Sequence, residues 1–319
     1  MSEVAVVDAC QRDGAGGRPT AVLDDAPFTD EKPCRIHTDL GTSHAVFLRA
    51  TGIERRQPAY TLRFFTAQDE LPPCGHGTVA ALAVLAEREG GDHDYRAVLR
   101  TAHRSFDGWA SRNGDGLTAS FDPGPVSLRS AGGPELRAVA GGLGLTEDAV
   151  AGDACVASNG RPRLLLPIRS RAALAELTPE STLLRAACDR YGLLGCYAYS
   201  PPDRHGRSAA RMFASPIGVP EDIANANSTA CLAARAAGFG THRLAVDMGD
   251  HLGSPSTITA TSTATARDTG SESAARQRSC ARPCDEARAL KARVPVRSRS
   301  NCSGDSRPVL AASVAGAQG

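Results

Sequence analysis

Two histidines of this chain stand where an imidazole could exchange protons with a bound ligand. His76 lies between Gly75 and Gly77 at the start of an apolar run, so its neighbours leave it accessible. His44 follows Ser43 where a polar turn runs into an apolar stretch, a common place for residues that project into a cleft, and Ser43 is a substrate-binding candidate there. Imidazole has an unperturbed pKa of about 6.5, so it can accept and return a proton at neutral pH. A packing or capping role is the alternative for an isolated histidine.

Two turns of small or polar residues precede two apolar segments that are predicted to be helices. The first turn ends in Gly75, Gly77 and Thr78, and the second contains Asn227 and Ser228. The N-terminus of a helix exposes unpaired N–H groups and carries partial positive charge. Two such turns facing one cleft would therefore bind a substrate carboxylate without a lysine or an arginine. Ordinary tight turns with Asn or Thr caps are the alternative.

Asp222 and Cys74 are the other groups near these turns that could take part in chemistry. Asp222 precedes the second predicted helix, where it could orient a histidine, act as an acid or compensate the helix dipole. Cys74 opens the first predicted helix, where the pKa of a thiol can be lowered. A two-thiol racemase would need a second cysteine, but Asp222 occupies the corresponding position and Cys231 falls inside the helix. We therefore expect the catalytic residues to be His44, His76 and Asp222.

The composition is typical of a globular protein that acts on a small molecule. The chain has 319 residues, and at about 150 residues per domain this favours two domains. With 36 basic and 35 acidic residues the net charge is +1, which gives no electrostatic reason to expect nucleic acid or an anionic membrane as a partner. No secretory signal and no apolar run of about 18 residues is visible, so we expect a cytoplasmic protein without a membrane span.

The composition changes after residue 262. No aromatic residue occurs from there to the end, and Arg, Ser and Ala dominate. Such a segment cannot bury enough apolar surface to offset its ordering entropy, so 263–319 is either a disordered tail or the product of a frameshift in a GC-rich gene. Cys280 and Cys284 are the most closely spaced of the ten cysteines, but a second pair or a histidine at zinc-finger spacing is missing, and we expect no metal site.

An arrangement of strand, Pro-containing turn, small-residue turn and apolar helix occurs twice before that tail. It runs over about 63–85 and again over about 211–234. The predicted helix at 78–87 is apolar almost all round and must be buried, and 228–237 is its counterpart. We therefore predict an α/β protein of two similar barrel-like lobes, each a curved sheet around a central apolar helix. The predicted lobes are 1–125 and 126–262.

Four segments match, in order, the motifs of one protein family. Residues 63–78 look like its "RFFTPxxELPxCGHxT" segment, and residues 7–22 look like its opening "VDAF…GNPxAV". Residues 218–224 resemble its "GxxEDxATGS" segment, and residues 247–256 resemble its late "QGxxxGRPS" strand. Together the matches cover roughly residues 4–262, and the chain therefore resembles the phenazine biosynthesis-like (PhzF-like) family.

The resemblance implies the diaminopimelate-epimerase-like fold, a site in the cleft between two lobes, a homodimer, and isomerisation without a cofactor. In that family a glutamate takes a proton from carbon, assisted by a histidine and an aspartate. Here His44 occupies the glutamate position, whereas His76 and Asp222 match. Arg18 replaces an asparagine, and residues 225–227 replace the "TGS" turn, which argues against the phenazine substrate itself.

Three functions follow from this resemblance. The first is an isomerase that moves a proton and a double bond in a small carboxylate or amino-acid substrate, with His44 as the base and His76 and Asp222 stabilising the anion. Antibiotic pathways that make alkyl-proline units contain relatives of this kind. The second is an amino-acid epimerase or racemase of the same fold. The third is a non-catalytic binding homologue, which the change from glutamate to His44 would favour.

Overall fold

The computed structural model describes most of the chain. The described residues are 4–24, 40–42, 44–66, 70–71, 74–90, 94–113, 116–146, 149–262, 287–294 and 296–299. The substrate-binding candidate Ser43 and the cysteines Cys280 and Cys284 lie outside them. The six described cysteines are free thiols. Among the described residues, no helix is both long and apolar enough to cross a membrane.

The described residues form strands and α-helices that we number in chain order. The strands β1–β18 are Val4–Ala9, Arg18–Asp24, His44–Glu54, Gln57–Phe65, Glu70–Leu71, Tyr95–Arg100, Ser105–Asn113, Gly116–Phe121, Ser127–Ser130, Cys155–Ser158, Arg163–Pro167, Cys196–Tyr199, Arg207–Ala214, Val219–Asp222, Arg243–Met248, Ser256–Ser262, Ala287–Val294 and Val296–Arg299. The helices α1–α5 are Gly75–Glu89, Gly133–Gly142, Arg171–Ala175, Ser181–Tyr191 and Ala226–Ala237.

Helix α1 forms the centre of the first lobe. Every residue from Gly75 to Ala86 is buried, and the helix packs against β1, β2, β3, β7 and β8. It begins after Cys74, whose backbone is extended, and ends at Gly90, which has a φ of 69°. Glycine adopts this left-handed conformation without steric cost, so it is a favourable helix stop. The prediction of a fully buried apolar helix in this part of the chain is confirmed.

The first sheet curls around α1. Strand β2 pairs antiparallel with β1 and parallel with β3, and β4 pairs antiparallel with β3 and parallel with β6. Strands β6, β7 and β8 continue as an antiparallel meander. Val22 and Val46 face the core around α1, whereas Ala21 and Phe47 pack on the other face, as the two-residue period of a strand requires.

The second lobe repeats this plan around α5 and adds an outer layer of helices. Strands β9 to β12 pair in order, with β11 and β12 parallel. Leu165 belongs to the core that includes α5, whereas its neighbours Leu164 and Leu166 pack with residues of α2 and α4. A strand covered on both faces has no solvent side, which explains why Leu164, Leu165 and Leu166 form an uninterrupted apolar run.

The two lobes meet where α1 and α5 begin. A Cβ atom placed on Gly75 would lie 2.6 Å from Cβ of Ala226, so the first residues of the two helices touch. Strand β17 pairs with β8 of the first lobe and β16 of the second, and β18 pairs with β1. The predicted fold of two curled sheets, each around a central helix, is confirmed. The boundaries 1–125 and 126–262, and the origin of 263–319, stay predictions.

Candidate active site

A cavity of about 560 Å³ lies where the N-termini of α1 and α5 meet. Its walls come from both lobes, and its volume is in the range of ordinary small-molecule sites. Of the nine residues that the sequence predicts for the site, five line it. They are His44, Gly75, His76, Asp222 and Asn227.

The N-termini of the two helices differ in how they are capped. Cys74, the N-cap residue of α1, makes no side-chain capping hydrogen bond, whereas the Asn225 side chain accepts one from the Ser228 N–H at 2.9 Å. Gly75 is required at the start of α1 because any side chain there would collide with Ala226. Helix α1 therefore presents uncapped N–H groups at the cavity, and these can receive an anion.

His44 and His76 form a buried pair of imidazoles at the start of α1. Their ring centroids are 4.4 Å apart and the rings meet edge to face at 82°. Both residues are buried, at 6% and 4% exposure. Burial lowers the pKa of His76 from 6.5 to about 3; the nearby Arg18 guanidinium lowers it further, and a hydrogen bond to the Ala224 backbone acts in the opposite direction. His76 is therefore neutral at physiological pH.

Cys74 completes a cluster with these two rings. Its Sγ lies 3.4 Å from Nδ1 and 3.3 Å from Nε2 of His76. Burial raises the pKa of the Cys74 thiol to about 12, so this thiol is protonated at neutral pH and is a poor base. That result agrees with the sequence argument against a two-thiol racemase.

The same three side chains are of the types that bind zinc. Ligand atoms of His44, Cys74 and His76 all lie within 4.8 Å of one another. Three protein ligands and an open fourth position make up a catalytic zinc centre. Because thiolate is the form that binds metal, a metal ion here would first have to displace the proton of Cys74, whose pKa is about 12.

Asp222 lies across the cavity and is held by three hydrogen bonds. Arg18 Nη1 donates to its Oδ1 at 2.7 Å, and Asn225 Nδ2 donates to its Oδ2 at 3.0 Å. The Ala224 N–H donates to Oδ1 at 3.4 Å. Arg18 begins β2 in the first lobe and Asp222 ends β14 in the second, so this ion pair bridges the lobes. In the sequence Arg18 stands out only as a departure from the family pattern, and this contact was not predicted.

Three of the predicted binding residues lie behind the cavity wall. A Cβ on Gly77 would meet the Phe64 ring at 2.8 Å, so this glycine allows the helix to pack on β4. Thr78 Oγ1 donates to the carbonyl of Cys74 at 2.8 Å. Ser228 is fully buried, and its N–H is already donated to Asn225. Their predicted role in substrate binding stays a prediction.

Several arginines line the cavity, although the motifs predicted a carboxylate site that needs none. Besides Arg18, these are Arg104, Arg161 and Arg163. Arg161 and Arg163 flank a proline at the point where a turn leads into β11, which is the one signal in the sequence that could have identified them. The cavity is thus more positively charged than the motifs alone indicated.

Comparison with known proteins agrees with the sequence resemblance. The family model described as phenazine biosynthesis-like protein matches residues 7–277. The uncharacterized isomerase YddE of Escherichia coli is 27% identical over 198 residues, which are 60% of this chain and 64% of that protein. An uncharacterized isomerase of Deinococcus radiodurans is 29% identical over 241 residues, which are 71% of this chain and 73% of that protein.

Solved structures show the same fold. A predicted epimerase from Pseudomonas aeruginosa aligns with a TM-score of 0.73 at 23% identity, covering 94% of this chain and 98% of that one. A PhzF-family protein of Bacillus anthracis aligns with a TM-score of 0.71 at 17% identity, covering 93% and 97%. A probable proline racemase from Agrobacterium radiobacter aligns with a TM-score of 0.61 at 11% identity, covering 96% of this chain and 94% of that one. Since the family model matches most of its length, this chain belongs to the phenazine biosynthesis-like protein family.

Proposed function

We propose that this protein is a cofactor-independent isomerase that moves a proton, and with it a double bond, within a small carboxylate-bearing substrate. The observation that carries this proposal is the buried His44–His76 pair, with ring centroids 4.4 Å apart, beside the uncapped N-terminus of α1. Its curated relatives are isomerases by name, which supports the reaction class.

The substrate carboxylate would be bound at the start of α1. Gly75 brings the backbone of that helix to the cavity, and Asn227 at the start of α5 lies next to it in the cavity lining. The partial positive charge of the helix N-terminus stabilises a carboxylate, and stabilises more strongly an anion delocalised from it. This places the carbon next to the carboxylate near the two imidazoles.

His44 would act as the base. It removes a proton from the substrate carbon, the electron pair of the broken C–H bond delocalises over the neighbouring unsaturated system, and the same proton returns from His44 to a different carbon. Because His76 has a pKa of about 3, it adds no positive charge beside His44, and His44 alone carries the proton. General acid–base catalysis of this kind contributes about 10²–10⁴-fold.

Asp222 has a positioning role in this proposal. Its carboxylate oxygens already accept hydrogen bonds from Arg18, Ala224 and Asn225, so it is committed to holding the lobes together. A closed cleft would keep water from the carbanion. We further infer that the protein acts as a cytoplasmic homodimer in secondary metabolism, with an alkyl-proline precursor as one substrate to test.

An epimerase is the second candidate, because structural neighbours of this chain include a predicted epimerase and a probable proline racemase. It would use the same base but return the proton to the carbon from which it came. A binding protein without turnover is the third candidate, because His44 stands where the family has a glutamate.

Incubation in D₂O with unsaturated amino acids and cyclic carboxylates distinguishes these functions. The isomerase predicts deuterium at a new carbon with a shifted double bond, read by NMR and mass spectrometry, and loss of both in His44→Ala. Deuterium with inverted configuration and an unchanged skeleton would instead establish the epimerase.

The matched control is His103→Ala. His103 also lines the cavity but is exposed, and it lies outside the buried pair, so its removal should leave exchange close to that of the unmodified protein. No exchange with any compound that demonstrably binds would contradict the catalytic proposal and leave the binding protein.

A further inference from the structure

Arg163 is a buried guanidinium on the cavity wall whose described partners are all uncharged. It is 2% exposed. Nη1 donates to Ser228 Oγ at 3.3 Å, and Nη2 donates to Asn159 Oδ1 at 3.1 Å and to the Arg161 carbonyl at 2.8 Å. Its Nε is buried and has no hydrogen-bond partner among the described residues. An unmade hydrogen bond on a buried, charged group calls for a physical explanation.

Arg211, a buried arginine of the second lobe that has a carboxylate partner, provides a comparison. Arg211 donates to both carboxylate oxygens of Glu221, at 2.9 and 2.7 Å, and to the carbonyl of Leu177 at 2.8 Å. Burying a cation is unfavourable unless a counter-ion compensates the lost hydration, and Arg211 meets this requirement. Arg163 does not meet it, because none of the described residues supplies a carboxylate partner to its guanidinium.

The surroundings of Arg163 add positive charge. Arg161 and Arg104 also line the cavity, and Arg18 is already neutralised by Asp222, which is the one acidic residue among the described residues of the lining. Burial lowers the pKa of Arg161, and the proximity of Arg163 lowers it further. An anion bound between these two guanidinium groups would relieve both the repulsion and the lost hydration.

A single carboxylate at the start of α1 would leave this charge uncompensated. Resting on the proposed function for the reacting end of the substrate, we propose that the cavity binds a doubly anionic substrate, whose second acid group, a carboxylate or a phosphonate- or phosphate-type group, is held by Arg163 with Arg161. Arg163 begins β11 and donates a hydrogen bond to Ser228 in the first turn of α5. The second acid group is therefore bound by the second lobe. The His44–His76 pair then acts on the end held by the first lobe.

The test compares amino acids that differ only in the charge of the far end. Binding is measured by isothermal titration calorimetry for the D and L forms of 2-aminoadipate and glutamate against their far-end amides. 2-Amino-5-phosphonopentanoate, with its carboxamide analogue as reference, separates a phosphonate preference from a carboxylate preference. We expect each preferred diacid to bind at least about tenfold more tightly than its amide.

Variants assign this preference to the arginine. Arg163→Gln should reduce the ratio of diacid affinity to amide affinity to near one. Arg163→Lys should retain part of the preference for the diacid, and Arg161→Gln should reduce that preference partially. Arg190→Gln, which changes an arginine outside the cavity lining, is the matched control and should leave the ratio unchanged. If Arg163→Gln does not fold, Arg163→Lys, Arg161→Gln and the unmodified protein still decide the question.

The proposal is overturned if no diacid binds more tightly than its amide, or if the preference survives unchanged in Arg163→Gln. A purely structural Arg163 would lower the unfolding temperature without changing the ratio. Deuterium exchange measured on unsaturated diacids and their far-end amides separates the two proposals. Preferential binding of the diacid without exchange would support the anion site and contradict the isomerase, and exchange without preferential binding would do the reverse.

Discussion

The starts of α1 and α5 are built alike but carry different chemistry. Each is a turn of small or polar residues that leads into a buried helix, and the two touch at Gly75 and Ala226. The first lobe places two buried imidazoles and a thiol there, next to N–H groups that the side chain of the N-cap residue does not cap. The second lobe caps its helix with Asn225 and surrounds it with ionic groups, namely Asp222 and Arg163. Under the two proposals, the first lobe carries out proton transfer and the second lobe binds the charged end of the substrate.

The contact between these two regions that we expect to matter most for stability is the Arg18–Asp222 ion pair. Arg18→Gln leaves the Asp222 carboxylate buried without its counter-ion, and we expect a loss of about 3–5 kcal/mol in the free energy of unfolding. Denaturant titration measures it. Arg88→Gln is the control, because it breaks an exposed pair with Asp24 and should cost about 0–1 kcal/mol. Equal losses in the two variants would show that the lobes do not depend on this bridge.

The His76 imidazole of the first lobe should give the protein a characteristic pH dependence. The pKa of His76 is about 3 in the folded state and 6.5 in the unfolded state, so the unfolded chain binds the extra proton between these values. Stability from this residue is fully present above pH 6.5 and falls by up to about 1.4 kcal/mol per pH unit as the pH drops towards 3. His76→Asn should flatten this part of the curve relative to the unmodified protein. A curve that keeps its slope in His76→Asn would contradict the burial argument.

The close contact of the two helices can be tested with a single methyl group. Gly75→Ala places a Cβ 2.6 Å from Cβ of Ala226, and we expect a loss of about 1–3 kcal/mol in the free energy of unfolding together with reduced turnover. Gly141→Ala is the control, since a Cβ there meets nothing within 4 Å in helix α2. That change should be neutral or stabilise the protein by up to about 1 kcal/mol. A stable, active Gly75→Ala protein would show that the helices can separate at no cost.

Removing the Asn225 cap of α5 should give the smallest loss of stability among these changes. Asn225→Ala removes the side-chain acceptor of the Ser228 N–H, and we expect a loss of about 1 kcal/mol in thermal or denaturant unfolding. Asn225→Ser keeps a capping oxygen and should recover most of that loss. Failure of serine to recover it would mean that the hydrogen bond from Asn225 to Asp222, rather than the cap, supports this turn.

Much of the fold was predictable because it depends on the pattern of apolar and turn residues that are close in the chain. The apolar run after Gly77 has no polar face, and this alone required a buried helix. The repeat of strand, turn and helix indicated two lobes, whereas the glycines around His76 did not reveal that this histidine is buried and that Gly77 packs on Phe64. The buried helix and the repeat involve residues that are close in the chain, so periodicity and turn chemistry are enough to identify them.

The charged contacts were not predictable in the same way. Arg18 and Asp222 are 204 positions apart, and their contact requires both sheets to be folded and the two helix starts to meet. The uncharged surroundings that the described residues give the Arg163 guanidinium are also invisible in the sequence, where acidic residues occur throughout. Ser43 lies outside the described residues, and its predicted role remains untested.

The sequence by itself determined which segments are buried, where the two central helices begin, and that imidazole groups stand at one of these starts. The tertiary structure alone decided that His44 meets His76, that burial keeps His76 neutral, and that Arg163 has no carboxylate partner among the described residues. The physical reason is that burial of an apolar face follows from local periodicity. The pKa and the partner of a charged group depend instead on which distant residues the fold brings within a few ångströms of it.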